Sequence, residues 1–249
     1  MLPKQDIFFQ DLGVMEYQAA WDYQEKLLQG NVSIKSESYL NGSVAPSSEN
    51  LPTKHYLLFT EHPPVYTLGK SGNRENVLLD DEGMKEKKIA FFHTNRGGDI
   101  TVHGPGQVVG YPIFDLEKFY TDIGRYLRDL EEVVIRLLAD YGLKGERSSG
   151  ETGVWIDPAI SGRARKICAI GVRSSRWVTM HGFALNVNTD LSYFNHIVPC
   201  GISDKTVTSL EKELGRTLPL EEVKMGLRRH FEAVFNARIL EGDQKSLAR

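Results

Sequence analysis

The sequence predicts an α+β fold: a mixed or largely antiparallel sheet with helices packed on it. Three observations carry that expectation. Short β-branched or aromatic runs, "HYLLF", "VYTL" and "IAFF" among them, are grouped in the middle of the chain and separated by Gly, Pro or Asn. Stretches with apolar residues at helical spacing lie toward both ends. There is no internal repeat and no regular strand–helix alternation, so helices and strands read as segregated. With 249 residues, 41% hydrophobic and 25% charged, the composition is ordinary for a globular protein. One domain is expected over residues 1–249.

From the N-terminal side, Tyr17, Ala20, Trp21, Leu27 and Leu28 recur at helical spacing and predict a helix over 15–28, with Gly30 as its stop. Residues 31–54 are rich in Ser, Asn and Pro without a sustained period, and read as a flexible surface loop. Strands are expected at 55–59, 65–68, 89–92, 99–102 and 108–116. The clearest helix covers 122–141, where Ile123, Tyr126, Leu130, Val133, Val134, Leu137 and Leu138 form one apolar stripe before Gly142. Strands return at 153–156, 166–172 and 182–188. A short helix over 206–214 and a longer one after Pro219, with Val223, Leu227, Phe231 and Val234 on one face, complete the pattern.

A formal net charge of −3 supplies no global basic field, so neither nucleic acid nor an acidic membrane surface is expected as a partner. The first residues lack the apolar core and cleavage site of a signal peptide, and no apolar run approaches the length of a membrane span. The expectation is a cytoplasmic protein. Seven histidines and two cysteines show no C-x-x-C or H-x-x-x-H spacing, so no metal is expected.

The stretch "RGGDITVHGPGQVVGYP" (96–112) puts five glycines where strand is otherwise expected. Such a cluster marks tight turns or a close backbone approach. "GPGQVVG" has a superficial nucleotide-loop look, but Pro112 and a strand-like run follow it where a dinucleotide loop would open a helix. A plain β-turn over 103–106 is the alternative. The two thiols differ in context: Cys168 lies inside the apolar run "KICAIGV", whereas Cys200 in "HIVPCGI" sits between Pro199 and Gly201, where a bend holds a thiol exposed. Nucleophilic work needs the thiolate and hence a nearby cation. Lys166, at the start of an apolar strand, is the candidate; the competing reading makes Arg163, Arg165 and Lys166 an ordinary solvated run. His181, in "TMHGFALNV", is a candidate base or a core histidine.

The segments "EHPPVYTLGKSGN", "RGGDITVHGPGQVVGYPIFDL", "GVWI", "KICAIGVRSSRWVTMHGFALNVNTDLSYFNHIVPCGI" and "TSLEKELG" together resemble the lipoyl(octanoyl) transferase family, in order and across roughly residues 55–215. That family moves an octanoyl chain from acyl carrier protein to an enzyme cysteine and then to a lysine of a lipoyl domain. The resemblance implies Cys200 as the acyl-thioester nucleophile and Lys166 as the group that lowers its pKa. It implies a substrate channel lined by Arg96, Gly97, Gly98, Asp99, Ile100, Thr101, Val102 and His103, by Ala169, Ile170 and Gly171, and by Gly182, Phe183 and Ala184. The glycines would let backbone close around the acyl chain. Gly104, Gly106, Gln107 and His181 fall in the same motifs as further candidates.

The implied fold is that of the biotin/lipoate ligase catalytic domain. The implied partners are octanoyl-acyl carrier protein as donor and, as acceptors, lipoyl domains of 2-oxoacid dehydrogenase E2 subunits and the glycine cleavage H protein, with no cofactor. Two rival readings remain: an ATP-dependent lipoate or biotin ligase on the same scaffold, and a non-catalytic module that binds lipoyl domains or carrier protein. Three positions depart from the family pattern. Val102 stands where many relatives carry an aromatic residue, which bears on acyl-length preference; Cys168 replaces a more usual Ala; and the 31–54 segment is longer.

Overall fold

A computed structural model describes residues 3–40, 51–198 and 206–242. Among these, the main sheet is built from β1 (Gln5–Val14), β2 (His55–Glu61), β6 (Gln107–Ile113), β7 (Glu146–Ser148), β8 (Glu151–Ile156), β9 (Arg165–Ser175), β10 (Val178–Asn186), β11 (Thr206–Val207) and β12 (Ala237–Glu241). Its spatial order is β12-β1-β2-β6-β10-β9-β8-β7, with β11 beside β9. A smaller sheet is formed by β3 (Val65–Leu68), β4 (Ala90–His93) and β5 (Ile100–His103) in the order β4-β3-β5. The helices are α1 (Tyr17–Leu40), α2 (Asp81–Glu86), α3 (Ile123–Asp140), α4 (Leu210–Leu214) and α5 (Leu220–Phe235). β1 pairs in parallel with β2 and β12, and the run from β2 to β7 is antiparallel, so the sheet is mixed, as expected.

Strand alternation divides the core. In β2, Leu57 and Phe59 point into a cluster with α3 and α5, whereas Tyr56 and Leu58 point to the opposite face, under α1. α3 buries Tyr126, Leu130, Val133, Val134, Leu137 and Leu138, the stripe read from its sequence, and Asp122 caps it by accepting from the Arg125 N–H. Helices therefore cover both faces of the main sheet. The small sheet has its own core, in which Val102 packs with Tyr66, Leu68 and Ile197.

The structure corrects four expectations. α1 does not stop at Gly30 but runs to Leu40, so residues 31–40 are helix rather than loop. Its continuation is held by buried polar groups: Asn31 exchanges two hydrogen bonds with Lys54, and Lys35 pairs with Asp115 at 2.7 Å and Glu117 at 3.0 Å. A period counted on apolar residues cannot register such a face. Residues 41–50 of the expected loop lie outside the described residues, while Leu51 and Thr53 beyond them are buried. Second, the outermost described elements are strands, not helices: β1 and β12 pair from Gln5↔Ala237 to Phe9↔Glu241. Third, Thr206–Val207 is strand, because Ser209 is the cap that starts α4. Fourth, β10 begins at Val178, its polar Thr179 buried by hydrogen bonds to the Pro112 and Phe114 carbonyls. Among the described residues no helix is long and apolar enough to cross a membrane.

Candidate active site

Between the small sheet and strands β6, β10 and β9 lies a cavity of about 480 Å³, within the size range of small-molecule sites. Small residues pair along its wall: Ala169 and Gly171 on β9 face Ala184 and Gly182 across the ladder, and all four line it. Ile100, Val109, Ile170 and Phe183 add apolar wall. Of the expected channel residues, Arg96, Gly98, Asp99, Thr101 and His103 also line the cavity, as do Gln107, Lys166 and His181. Gly97, Val102, Gly104 and Gly106 do not stand among its lining residues. Val102 is fully buried in the small sheet's own core, so its departure from the family pattern meets protein rather than cavity.

The glycines mainly serve contacts of chain with chain. A Cβ on Gly171 would lie 2.7 Å from the Gly97 carbonyl oxygen, and one on Gly69 2.2 Å from that of Gly98. The 96–98 loop is thus wedged between two backbones, with Gly98 at φ +88°. A Cβ on Gly182 would meet the Gly110 oxygen at 2.2 Å. Gly106, at φ +76°, turns the chain and donates its N–H to Glu61. The expectation that these glycines clear space around a ligand is corrected to that extent.

The polar wall is set by buried histidines around Arg96. The Arg96 guanidinium donates to the Thr67 carbonyl and hydroxyl and to the Gly97 carbonyl. His181 donates from Nε2 to Asn95 Oδ1 at 2.8 Å, leaving Nδ1 buried without a hydrogen-bond partner. Burial, reinforced by the charges of Arg96 and Arg173, pushes its pKa down to about 3. His103 donates from Nδ1 to Gln107 Oε1, and Gln107 in turn donates to Asn186. Burial holds His103 well below the usual histidine range. His62 donates to the Met15 carbonyl and accepts from the Tyr111 hydroxyl, with a pKa lowered by burial to about 4. All three rings are therefore neutral near pH 7. The lining side chains that carry positive charge are Arg96 and Lys166.

Lys166 stands on β9, flanked by Trp155 of β8 and Val207 of β11. Its Nζ lies 4.5 Å from the Trp155 ring centroid. Arg165 beside it is committed to Glu213 and Asp157, so the "RARK" run is not simply solvated. Cys168 is fully buried in the main core, and burial pushes its thiol well up, which makes it the packing cysteine its context suggested. Cys200 lies outside the described residues. Ile197 on one side of it and Thr206 on the other both line the cavity.

The model of the lipoyl protein ligase A/B catalytic domain family matches residues 16–232. Over 235 residues the chain is 54% identical to the octanoyltransferase of Christiangramia forsetii, covering 94% of this chain and 97% of that protein. It is 55% identical to that of Flavobacterium johnsoniae, at 94% and 98% coverage. The chain belongs to the octanoyltransferase family. It is an enzyme that transfers an octanoyl group, which sets aside the reading as a non-catalytic binding module. Among solved structures, a bi-partite lipoate protein ligase from Thermoplasma acidophilum superposes with a TM-score of 0.70 at 18% identity, over 100% of this chain and 91% of that one. Lipoate-protein ligase A bound with ATP gives 0.62 at 18% identity, over 99% and 93%. These likenesses show the shared fold.

Several residues of the octanoyltransferase cavity escaped the sequence reading. Tyr17 of α1 stacks on His103 at 5.8 Å, and Trp155, Tyr111 and Asn186 line the wall. "GVWI" was legible as a strand, but the partner its tryptophan takes depends on a register shift between β8 and β9 that no spacing rule shows. His62 was invisible for a similar reason: its partners come from residues 15 and 111.

Proposed function

We propose that this octanoyltransferase takes its acyl group from octanoyl-acyl carrier protein onto Cys200 and passes it to a lysine ε-amine of a lipoyl domain. Acceptors of this kind are the lipoyl domains of 2-oxoacid dehydrogenase E2 subunits and the glycine cleavage H protein. The observation that carries the reading is the cavity itself: an apolar chamber with Lys166 on its wall, bordered on both sides of the Cys200 segment by Ile197 and Thr206. The lining histidines are poor proton acceptors at neutral pH, His181 with its pKa near 3 and His103 held well below its usual range, so proton transfer falls to Lys166.

In the first half-reaction the Lys166 ammonium favours the Cys200 thiolate. Sγ attacks the carrier thioester carbonyl, the C–S bond to the carrier breaks, and the departing thiolate takes a proton from Lys166. The incoming lysine amine then attacks the enzyme thioester; Lys166, now neutral, accepts its proton as the amide C–N bond forms and Cys200 leaves as thiolate. One thioester is exchanged for another before amide formation, so no nucleotide is consumed.

Octanoyl-acyl carrier protein alone should add one octanoyl group to Cys200, removable by hydroxylamine and visible in the intact-protein mass. A lipoyl domain should discharge it as a hydroxylamine-resistant amide. Cys200→Ser should abolish both species, and free octanoate with ATP and magnesium should give neither. Amide formation by Cys200→Ser from octanoate and ATP would establish a ligase instead.

A further inference from the structure

The ladder between β8 and β9 slips by one residue beside Lys166. Val154 pairs with Cys168, yet Trp155 pairs with Lys166 rather than with Ile167. One extra residue on β9 is a bulge, a device that re-aims side chains. Here it makes Trp155 and Lys166 direct cross-strand partners, the closest side-chain relation a sheet offers. The indole is buried, 3% exposed, and Nζ stands 4.5 Å from its ring centroid. Gly153, at φ +123°, completes the seat. A Cβ there would strike the Cys168 carbonyl oxygen at 2.6 Å, while Lys166 Cε lies in ordinary contact at 3.5 Å. The Gly153 N–H is held by the buried Glu131 carboxylate, which also pairs with Arg128 and Arg147.

We propose that Trp155 is the positioning residue of Lys166: its indole face seats the ammonium on the cavity wall and favours the charged amine over the neutral one. The inference rests on the reading of Lys166 as the partner of Cys200. A cation over an aromatic face is attracted by the ring quadrupole, more strongly where water is excluded. The preference suits the first half-reaction, which needs the ammonium. Among the described residues, the charged and titratable groups around Lys166 are Glu151 of β8, Glu131 of α3 behind Gly153, Cys168 on its own strand, and Arg96, Asp99, His103, His181, Tyr17 and Tyr111 elsewhere on the cavity lining; Asp157 and Glu213 of α4 are occupied by Arg165. β11 contributes only Thr206 and Val207.

The test follows acylation of the Lys166 amine against pH by an amine-selective reagent, read by peptide mass in a Cys200→Ser background so that the thiol does not compete. Trp155→Leu should lower the midpoint by about half a pH unit or more, and Trp155→Phe by less. Should Trp155→Leu fail to fold, replacing tryptophan with difluorotryptophan weakens the ring quadrupole while keeping its shape, and should still lower the midpoint. In the enzyme that retains Cys200, alkylation of that thiol by iodoacetamide should move to higher pH in the same variants. Unchanged midpoints in Trp155→Leu or in the fluorinated protein would overturn the inference. Octanoyl loading of Cys200 in the wild-type enzyme is scored separately: its absence would defeat the proposed function, whatever Lys166 does.

Discussion

Gly171 and Gly30 make opposite demands on a methyl group, and the contrast tests how the 96–98 loop is held. Gly171→Ala places a Cβ 2.7 Å from the Gly97 carbonyl and 3.3 Å from Arg96 Cδ, so backbone must move. Overpacking of this kind costs about 1–3 kcal/mol, and because Arg96 lines the cavity, octanoyl transfer should fall about tenfold or more. Gly30→Ala meets nothing within 4 Å inside α1 and should stabilise the protein by up to about 1 kcal/mol with transfer unchanged. Urea unfolding and transfer rates of the two variants check both; a harmless Gly171→Ala would mean that the loop is not wedged. The glycine cluster was legible as a sign of close approach because glycine serves little else inside a strand. What approaches was not legible, since the contacts join residue 171 to 97 and residue 69 to 98. Cys168 was legible as a packing residue for a simpler reason: it sits in a run of apolar neighbours that the sheet carries into the core.

At the scale of elements, α1 is the one whose extent local sequence misstates. Its last turns face inward through Asn31 and Lys35, and Lys35 is 1% exposed against an Asp115 that is fully buried. Asp115 also accepts from the Thr53 hydroxyl and the Glu117 N–H, so the carboxylate ties the end of α1 to the chain just before β2 and to the turn after β6. Lys35→Met removes one charge and leaves the other buried, which should cost about 3–5 kcal/mol in urea unfolding. Lys35→Met with Asp115→Asn should recover part of that loss. Neither residue lines the cavity, so transfer per folded molecule should stay near wild type. Equal stability of the single variant and wild type would show the pair to be dispensable. α3 and α5 each bury a charged residue too, Glu131 and Lys224, but their apolar stripes against β2, β6 and β10 are continuous, which is why their positions could be read in advance.

The whole molecule stacks two sheets around the cavity, and its packing there and beside β2 buries four histidines that water would otherwise protonate in mild acid. His55 at the start of β2 is pushed to about 4, His62 after β2 likewise, His181 of β10 to about 3, and His103 of β5 lies well below its usual value, burial being the first cause in each. An unfolded histidine titrates near pH 6.5. Between that pH and the lowered folded values the unfolded chain binds protons that the folded chain does not, so stability rises with pH across this window and is lost as pH falls through it. Each histidine contributes a slope of up to about 1.4 kcal/mol per pH unit, and four together up to about 5. Glu131 and Asp129, whose carboxyls burial raises, act in the opposite sense but from the lower carboxylate range. The urea midpoint should therefore be nearly flat from pH 8 to 7 and fall steeply from pH 6 to 5, reversibly and at constant ionic strength. His62→Gln, which keeps a donor for the Met15 carbonyl, should flatten the fall by about one histidine's share. A midpoint that holds steady down to pH 5 would mean that the histidines take up protons in the folded state, and the neutral wall around Arg96 would have to be abandoned.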